Sequence, residues 1–412
     1  MAAHPGVTDP GRGTRLDLGA LLTAVEDAAP VAAADVVGSL LAQALGAYEV
    51  AFLIADFSGD AVIRLGHVGK AGLGLRGETA ERVPLTDTAH GWVLATQTVR
   101  VDERGKGWRL LAPVTNRGEA IGVLELYLPG EPDEQCLADV ALAAHALSYI
   151  VIANRRFTDL FEWGQRSLPL SLAAEIQHRL LPAVYTCEAA QFTVAAWLEP
   201  AGNIAGDTFD FSLERETLHL SMTDAMGHAV QAALLATTLV GALRNGRRAN
   251  LSLAEQARRA SSRLAECCHR CEYVTGQLVR VDLPTGTAEI VNAGHPLPLR
   301  LRDGSVAEVD LEPDLPFGLG EHEYRVQSLA LAPGDRLVFV TDGLLERNAS
   351  KVDLRELIVQ GAELHPREAV QRLIREIVTA TGGGLKDDAT VMCLDWAGGP
   401  PRQRHTSSGA NS

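Results

Sequence analysis

Four apolar, strand-like runs in the second half of the chain begin or end on aspartate, and three of the four sit beside Gly or Ala. FTVAAWLEP leads into AGNIAGDTFDF, where Asp207 and Asp210 follow Gly206. TLHLSMTDAMGHA alternates with period 2 and ends at Asp224, with Gly227 just beyond. LVFVTDGLLE runs from apolar strand through Thr341 and Asp342 to Gly343, and KDDATVMCLDW sets Asp387 and Asp388 before another apolar strand. A single Asp-Gly pair between apolar runs is a turn signal. Four acidic strand ends gathered at one rim would repel one another unless cations lay between them. Carboxylates without histidine or thiolate are the donors expected for hard divalent cations, Mg²⁺ or Mn²⁺, which take oxygen ligands and keep several waters.

Strands must hold those ends, and the patterning supplies them. Besides the runs above, YVTGQLVRVD reads as a strand. Earlier in the chain, residues 16–46 carry helical spacing. EVAFLIADF and AVIRLGHV then form a hairpin across Ser-Gly-Asp, TAHGWVLATQ a short helix, and TVRVDE, WRLLAPVT and AIGVLELYL three more strands. From Glu134 the pattern turns helical, with Leu142, Ala146, Ile150, Ala153, Phe157, Leu160, Phe161 and Leu168 three or four apart as far as Pro169. Ser171 is positioned to cap a further short helix with Leu172, Ile176 and Leu180 on one face. Such a long apolar stripe between two domains predicts either a parallel coiled-coil homodimer through residues 134–182 or packing on the flanking domains.

Composition narrows the class. At 412 residues two domains are the natural expectation, and 46% hydrophobic with 22% charged residues is the balance of a globular protein. A formal charge of −15 argues against a nucleic-acid partner. No apolar run of membrane-spanning length and no signal-like N-terminus are evident, so no membrane span and a cytoplasmic location are expected. The 6 cysteines are too sparse for a disulfide scaffold, and CCHRC at 267–271 lacks a second ligand pair, so its thiols read as packed or at the solvent edge. Residues 1–15 and 398–412, rich in Gly, Pro, Ser and Thr, are expected to be disordered tails.

The order of elements over about residues 20–155, above all APVTNRGEAIGVLELYL followed by the long exit helix, resembles a GAF domain, a small-molecule or dimerisation sensor module. That places a sensor at 16–155, its exit helix overlapping the 134–182 linker. No residue set names its small-molecule ligand; Trp92, Trp108, His67 and His90 are pocket candidates that packing would explain equally well.

Over residues 175–397 the ordered motifs LLPA, PAGNIAGDTFD, TDAMGHAVQAALL, YVTGQLVRVD, NAGHPLPL, PFGLG, GDRLVFVTDGLLE and DDATVMCL resemble the PPM-type metal-dependent serine/threonine phosphatases. The resemblance is to their bacterial branch, typified by SpoIIE and RsbU. It implies an α+β chain overall: a GAF-like α/β sensor, a helical linker, and at 183–397 an αββα sandwich of two antiparallel sheets with metals at one end. It further implies that Asp224 bridges two cations (Mn²⁺ or Mg²⁺) with the Ala225 carbonyl as a further ligand. Asp207, Asp342 and Asp387 would complete the shell, and Asp388 would orient it or contribute through water. Two cations about 4 Å apart acidify a bridging water and clamp the phosphoryl oxygens for in-line attack. His228 and His295 are candidates to protonate the leaving oxygen, a second bound water being the alternative. The implied substrate is a phosphorylated anti-sigma-factor antagonist of STAS type; a two-metal hydrolase of a small phosphate ester and a pseudophosphatase binding protein are the other readings. Against the family pattern, Ala205-Gly206 replaces a Gly pair, Ala229 ends a Gly-His-Gly motif, and the Phe-Gly after TDG is absent.

Overall fold

The computed structural model describes residues 16–68, 81–105, 107–165, 171–200, 206–227, 229–267, 272–320, 322–345, 352–382, 385 and 387–399. They fall into two compact units, divided between residues 168 and 169.

In the first unit, α1 (Leu18–Asp27) starts where Asp17 Oδ1 accepts the amides of Gly19 and Ala20. α2 (Ala33–Leu45) stops at Gly46, which turns left-handed at φ +68°. β1 (Glu49–Ala55) and β2 (Ala61–Val68) form the expected hairpin, and β3 (Arg82–Pro84) adds a short edge that the patterning missed. Then follow α3 (Ala89–Thr96), β4 (Arg100–Arg104), β5 (Gly107–Asn116), β6 (Glu119–Leu128), α4 (Glu134–Asn154) and α5 (Leu160–Gln165). The sheet is antiparallel in the order β3-β2-β1-β6-β5-β4. Phe52, Ile54, Leu110 and Leu126 on one face pack with Leu21, Leu41, Val140, Leu147 and Phe161 of the helices. On the opposite face Leu53, Val62, Leu111 and Val123 meet Val93 and Leu94 of α3.

The continuous helix expected from residue 134 onward is not formed. α4 ends at Asn154, and α5 restarts after Thr158, whose hydroxyl accepts the Leu160 amide. The buried face of α4 is Val140, Ala143, Ala144, Leu147, Ile150 and Val151, one step round from the predicted stripe, and Phe157 is exposed. The first unit's own core covers this face, as expected for packing on a flanking domain. By length and composition α4 is apolar enough to cross a membrane, which the sequence reading had not expected of any segment.

A band of charge lies across the α3 side of this sheet. Glu125 on β6, 1% exposed, accepts Arg64 Nη2 at 2.8 Å and the Tyr127 hydroxyl at 3.2 Å. His90 Nε2 on α3 stands 3.5 Å from it, and Arg109 on β5 reaches both Glu125 and Asp102 of β4. Burial alone would raise the Glu125 carboxyl, but His90 and the Arg64 guanidinium outweigh it and hold it down at about 2. Trp92 is exposed with Arg100 over its ring, Trp108 packs on the core, and the His67 side chain lies outside the description.

The second unit begins with α6 (Leu172–Leu180), capped as expected by Ser171, whose hydroxyl accepts the Ala174 amide. Two antiparallel sheets follow. One runs β15 (Gln327–Ala330), β12 (Thr287–Ala293), β11 (Val274–Asp282), β10 (Thr217–Ala225), β9 (Asp207–Leu213). The other runs β14 (Ser305–Glu308), β13 (Leu299–Arg302), β16 (Asp335–Val340), β17 (Ala389–Trp396), β8 (Phe192–Glu199), β7 (Thr186–Glu188). Their inner faces share one core: Phe192, Val194, Phe209, Leu220, Met222, Val279, Ile290, Leu337, Phe339, Met392 and Leu394. α7 (Ala229–Arg248) and α8 (Leu253–Cys267) cover the first sheet through Leu239, Leu243 and Leu264 against Leu278 and Val291. On the second sheet, α10 (Leu354–Gln360) and α11 (Pro366–Ala380) set Ile358, Leu373 and Ile377 against Val338, Val340 and Val391. The layers are helix, sheet, sheet, helix, the sandwich expected for this part of the chain.

Candidate metal centre

Alternation along a strand decides where each aspartate points. Phe209 on β9, Leu220 and Met222 on β10, Phe339 on β16 and Met392 on β17 face the core between the sheets. Two residues further toward the same rim, that inward parity falls on Asp207, Asp224, Thr341 and Thr390, and beyond Thr390 on Asp388. The apolar core therefore ends in a polar layer contributed by both sheets. Asp224 and Asp207 are direct cross-strand partners, an arrangement that costs energy when both are charged. Asp342 opens α9 (Asp342–Leu345) from the other sheet.

The electrostatics show how closely the carboxyls approach. Asp224 is pushed up to about 7 by burial, then by the charges of Asp342 and Asp387, and a hydrogen bond joins it to Asp342. A carboxyl–carboxyl hydrogen bond requires a proton on one partner. Asp207, 3% exposed, is likewise raised, first by burial and then by Asp224 and Asp388, with Thr390 and Thr341 pulling the other way. The five predicted carboxylates Asp207, Asp224, Asp342, Asp387 and Asp388 thus meet at one rim. Among the described residues no three acidic, imidazole or thiol groups surround a single point as a finished ligand shell. The donor set fits a hard divalent cation in kind: all oxygen, several carboxyls, and neighbours close enough to raise the Asp224 carboxyl.

Residues outside the predicted site set hold these carboxylates. Asp207 Oδ2 accepts the hydroxyls of Thr341 at 2.8 Å and Thr390 at 2.6 Å. Asp388 Oδ2 accepts Gln177 Nε2 at 2.7 Å and the Gly206 amide at 3.2 Å, and Gln177 also donates to the Asp207 carbonyl. The inward parity of the two threonines was the available signal; nothing local marked Gln177. Two glycines permit close backbone approach. A Cβ on Gly206 would lie 2.6 Å from the Ala225 carbonyl oxygen, and one on Gly343 would overlap the Asp388 carbonyl. The need for glycine at 343 thus arises from the neighbouring strand end.

Asp210, on the same strand as Asp207, belongs to a different structure. Three residues on, it faces the helices, where Arg244 and Arg247 of α7 donate to it at 2.7–3.1 Å. Arg244 also closes α6 by donating to the Leu180 carbonyl. His295 is 4% exposed, with Nδ1 3.0 Å from the Thr275 hydroxyl. Burial pushes its imidazole down to about 3, partly offset by the Val340 carbonyl, so it stays neutral near pH 7. His228, Ala205 and Cys268–Cys271 lie outside the described residues; Cys267 is exposed. Ala229 holds φ +57°, a conformation glycine adopts freely.

Residues 214–397 match the Stage II sporulation protein E (SpoIIE) family, a stretch that contains Asp224, Asp342, Asp387 and Asp388, with Asp207 just before it. The chain is 24% identical over 217 residues to the phosphoserine phosphatase RsbP of Bacillus subtilis (strain 168), covering 51% of this chain and 52% of RsbP. It is 21% identical over 232 residues to the phosphoserine phosphatase RsbU of the same organism, covering 55% of this chain and 69% of RsbU. Among solved structures, the RsbU and RsbW domains of Rv1364c from Mycobacterium tuberculosis share 27% identity at a TM-score of 0.45, covering 52% of this chain and 62% of that one. The chain thus spans about half the length of RsbP, and over its second unit it is similar to SpoIIE-type phosphoserine phosphatases.

Proposed function

We propose that the chain is a divalent-metal-dependent protein phosphatase that hydrolyses phosphoserine or phosphothreonine. The observation that carries this reading is the convergence of Asp207, Asp224, Asp342 and Asp387 on one rim, where burial and mutual repulsion push the first two toward protonation. A buried cluster of carboxylates that push one another toward protonation is suited to cations. When bound, Mn²⁺ or Mg²⁺ there supplies Lewis-acid stabilisation to the phosphoryl oxygens and lowers the pKa of an attacking water.

The chain's own residues have separate tasks in this reading. Asp224 and Asp207, side by side on β10 and β9, present carboxylates from one sheet, and Asp342 and Asp387 close from the other. The Ala225 carbonyl, held against Gly206, is the backbone donor of the set. Asp388, engaged by Gln177 and the Gly206 amide, fixes the loop that carries Asp387. His295 is neutral and turned toward Thr275, which suits bracing β11 better than delivering a proton.

The relatives are named phosphoserine phosphatases, and the substrate we propose is a phosphorylated STAS-type anti-sigma-factor antagonist. We further propose that the first unit is a GAF-type sensor governing the second, supported by its element order and six-stranded antiparallel sheet. We propose a cytoplasmic setting.

The direct test is phosphate release from a phosphoserine peptide and from p-nitrophenyl phosphate, with Mn²⁺, with Mg²⁺ and with chelator. Release that requires metal and favours the peptide supports the reading. Metal-dependent release from the small ester alone would move it to a small-ester hydrolase, and no release from either would sink it. Kinetics unchanged on deleting residues 1–150 would remove the regulatory part.

A further inference from the structure

We infer that Thr341 and Thr390 are positioning residues that hold one oxygen of Asp207 and so reserve the other for a divalent cation. The inference rests on the metal reading above and deepens it.

Hydrogen-bond directions follow from elementary accounting. The Thr341 oxygen accepts the Thr390 amide at 3.1 Å, so its single hydrogen is directed at Asp207 Oδ2, 2.8 Å away. The Thr390 hydroxyl reaches the same Oδ2 at 2.6 Å. Two donors on one carboxylate oxygen oppose a proton there and fix the plane of the group. Both threonines are fully buried and β-branched, with few χ1 choices, so the donors are held in place before any ligand arrives. Oδ1 is then the oxygen left to the cation side of the rim.

The clamp joins the two layers. Asp207 starts β9 in one sheet, whereas Thr341 follows β16 and Thr390 lies on β17 in the other. The hydroxyls thus tie a carboxylate of the first sheet to the strand ends that carry Asp342 and Asp387. Partners behind a metal ligand tune affinity by fixing ligand orientation, and their loss typically costs about 10–100-fold. Threonine supplies what the position needs: a hydroxyl of fixed direction without a charge that would compete for the cation.

The test is Mn²⁺ titration by calorimetry on the full chain, comparing wild type with Thr390→Val, Thr341→Val and Thr390→Ser. The valines keep shape and remove a hydroxyl; serine keeps it. Each valine is expected to weaken Mn²⁺ binding about 10–100-fold, and serine, which keeps the hydroxyl, to bind Mn²⁺ as the wild type does. In the valine variants raised Mn²⁺ should restore most of kcat, and far-UV circular dichroism with chelator should match wild type. A merely structural role would lower stability without this rescue by metal. Thr341→Val supplies the answer should Thr390→Val not fold, since each removes one donor to the same oxygen. Wild-type affinity in the valine variants overturns the inference and leaves the metal centre standing. Absence of Mn²⁺ binding by the wild type overturns both.

Discussion

Glu125 in the first unit and Asp224 in the second are both carboxyls set among other ionisable groups inside a sheet, yet their acidities move in opposite directions. Glu125 meets Arg64, Arg109 and His90, and its carboxyl is held down at about 2. Asp224 meets Asp207, Asp342 and Asp387, and its carboxyl is pushed up to about 7, first by burial. Depth alone therefore does not mark function. The compensated cluster reads as architecture, because each charge already has a partner. In the second cluster the neighbouring carboxylates raise Asp224 instead, and electrostatic strain of that kind is relieved by what binds. Asp210 gives an internal control: it is as buried as Asp207 and three residues away, but Arg244 and Arg247 satisfy it.

The contrast is most strongly tested by Asp224→Ala and Asp342→Ala. Each is expected to lower Mn²⁺-dependent phosphate release by about 10³-fold or more, equivalent to roughly 4 kcal/mol of barrier. In chelator the same Asp224 variant should melt no lower than wild type, because a repelling charge has gone. Full activity in both variants would falsify the assignment of the rim. In the first unit the opposite holds. Arg64→Ala leaves Glu125 buried with its main partner gone and should cost about 3–5 kcal/mol in denaturant unfolding, with no gain in any condition.

The dependence on pH separates the two clusters next. Asp224 is raised from an unfolded value of 3.8 to about 7, so the metal-free fold binds more protons than the unfolded chain in that window. Its contribution is present below about pH 4 and is lost as pH rises through about 7. With chelator, the second unit should melt at lower temperature at pH 8 than at pH 5, and added Mn²⁺ should restore it at pH 8. Glu125, lowered from 4.5 to about 2, stabilises above about pH 4.5 and loses that contribution only as pH falls toward 2. Equal melting temperatures at pH 5 and pH 8 in chelator would contradict the strained reading of Asp224. The smallest effect is expected at Ala229, held at φ +57°, where Ala229→Gly should add about 0.5–1 kcal/mol of stability by chemical denaturation.

The carboxylates were legible because each stands at the end of a period-2 apolar run, a local signal that the strand itself writes. Asp342 with Gly343 is the clearest case, although glycine is needed there for the Asp388 carbonyl of the neighbouring strand. What stayed hidden is non-local. Gln177 reaches Asp388 across 211 positions, and Arg64 reaches Glu125 across 61. Thr341 and Thr390 read as ordinary β-branched strand residues until register brings them to Asp207. The helical run from 134 was over-extended because periodicity continues through Phe157, whereas the backbone turns after Asn154 and the Thr158 hydroxyl starts a new helix. The short edge β3 carried too few residues to show a period at all.

The inward parity shared by Asp207, Asp224, Thr341 and Thr390 also limits how this chain can change length. Inserting or deleting one residue between the core positions and the rim of β9, β10, β16 or β17 would turn that strand's aspartate or threonine from the gap between the sheets to the helix side. Insertions in the connections behind the opposite rim leave the parity untouched. Length variation is therefore expected in the turns 214–216, 283–286 and 303–304 and not in the few residues between Met222 and Asp224 or Phe339 and Thr341. The rim is in effect a reading frame with a period of two, and the apolar core beneath it keeps the count.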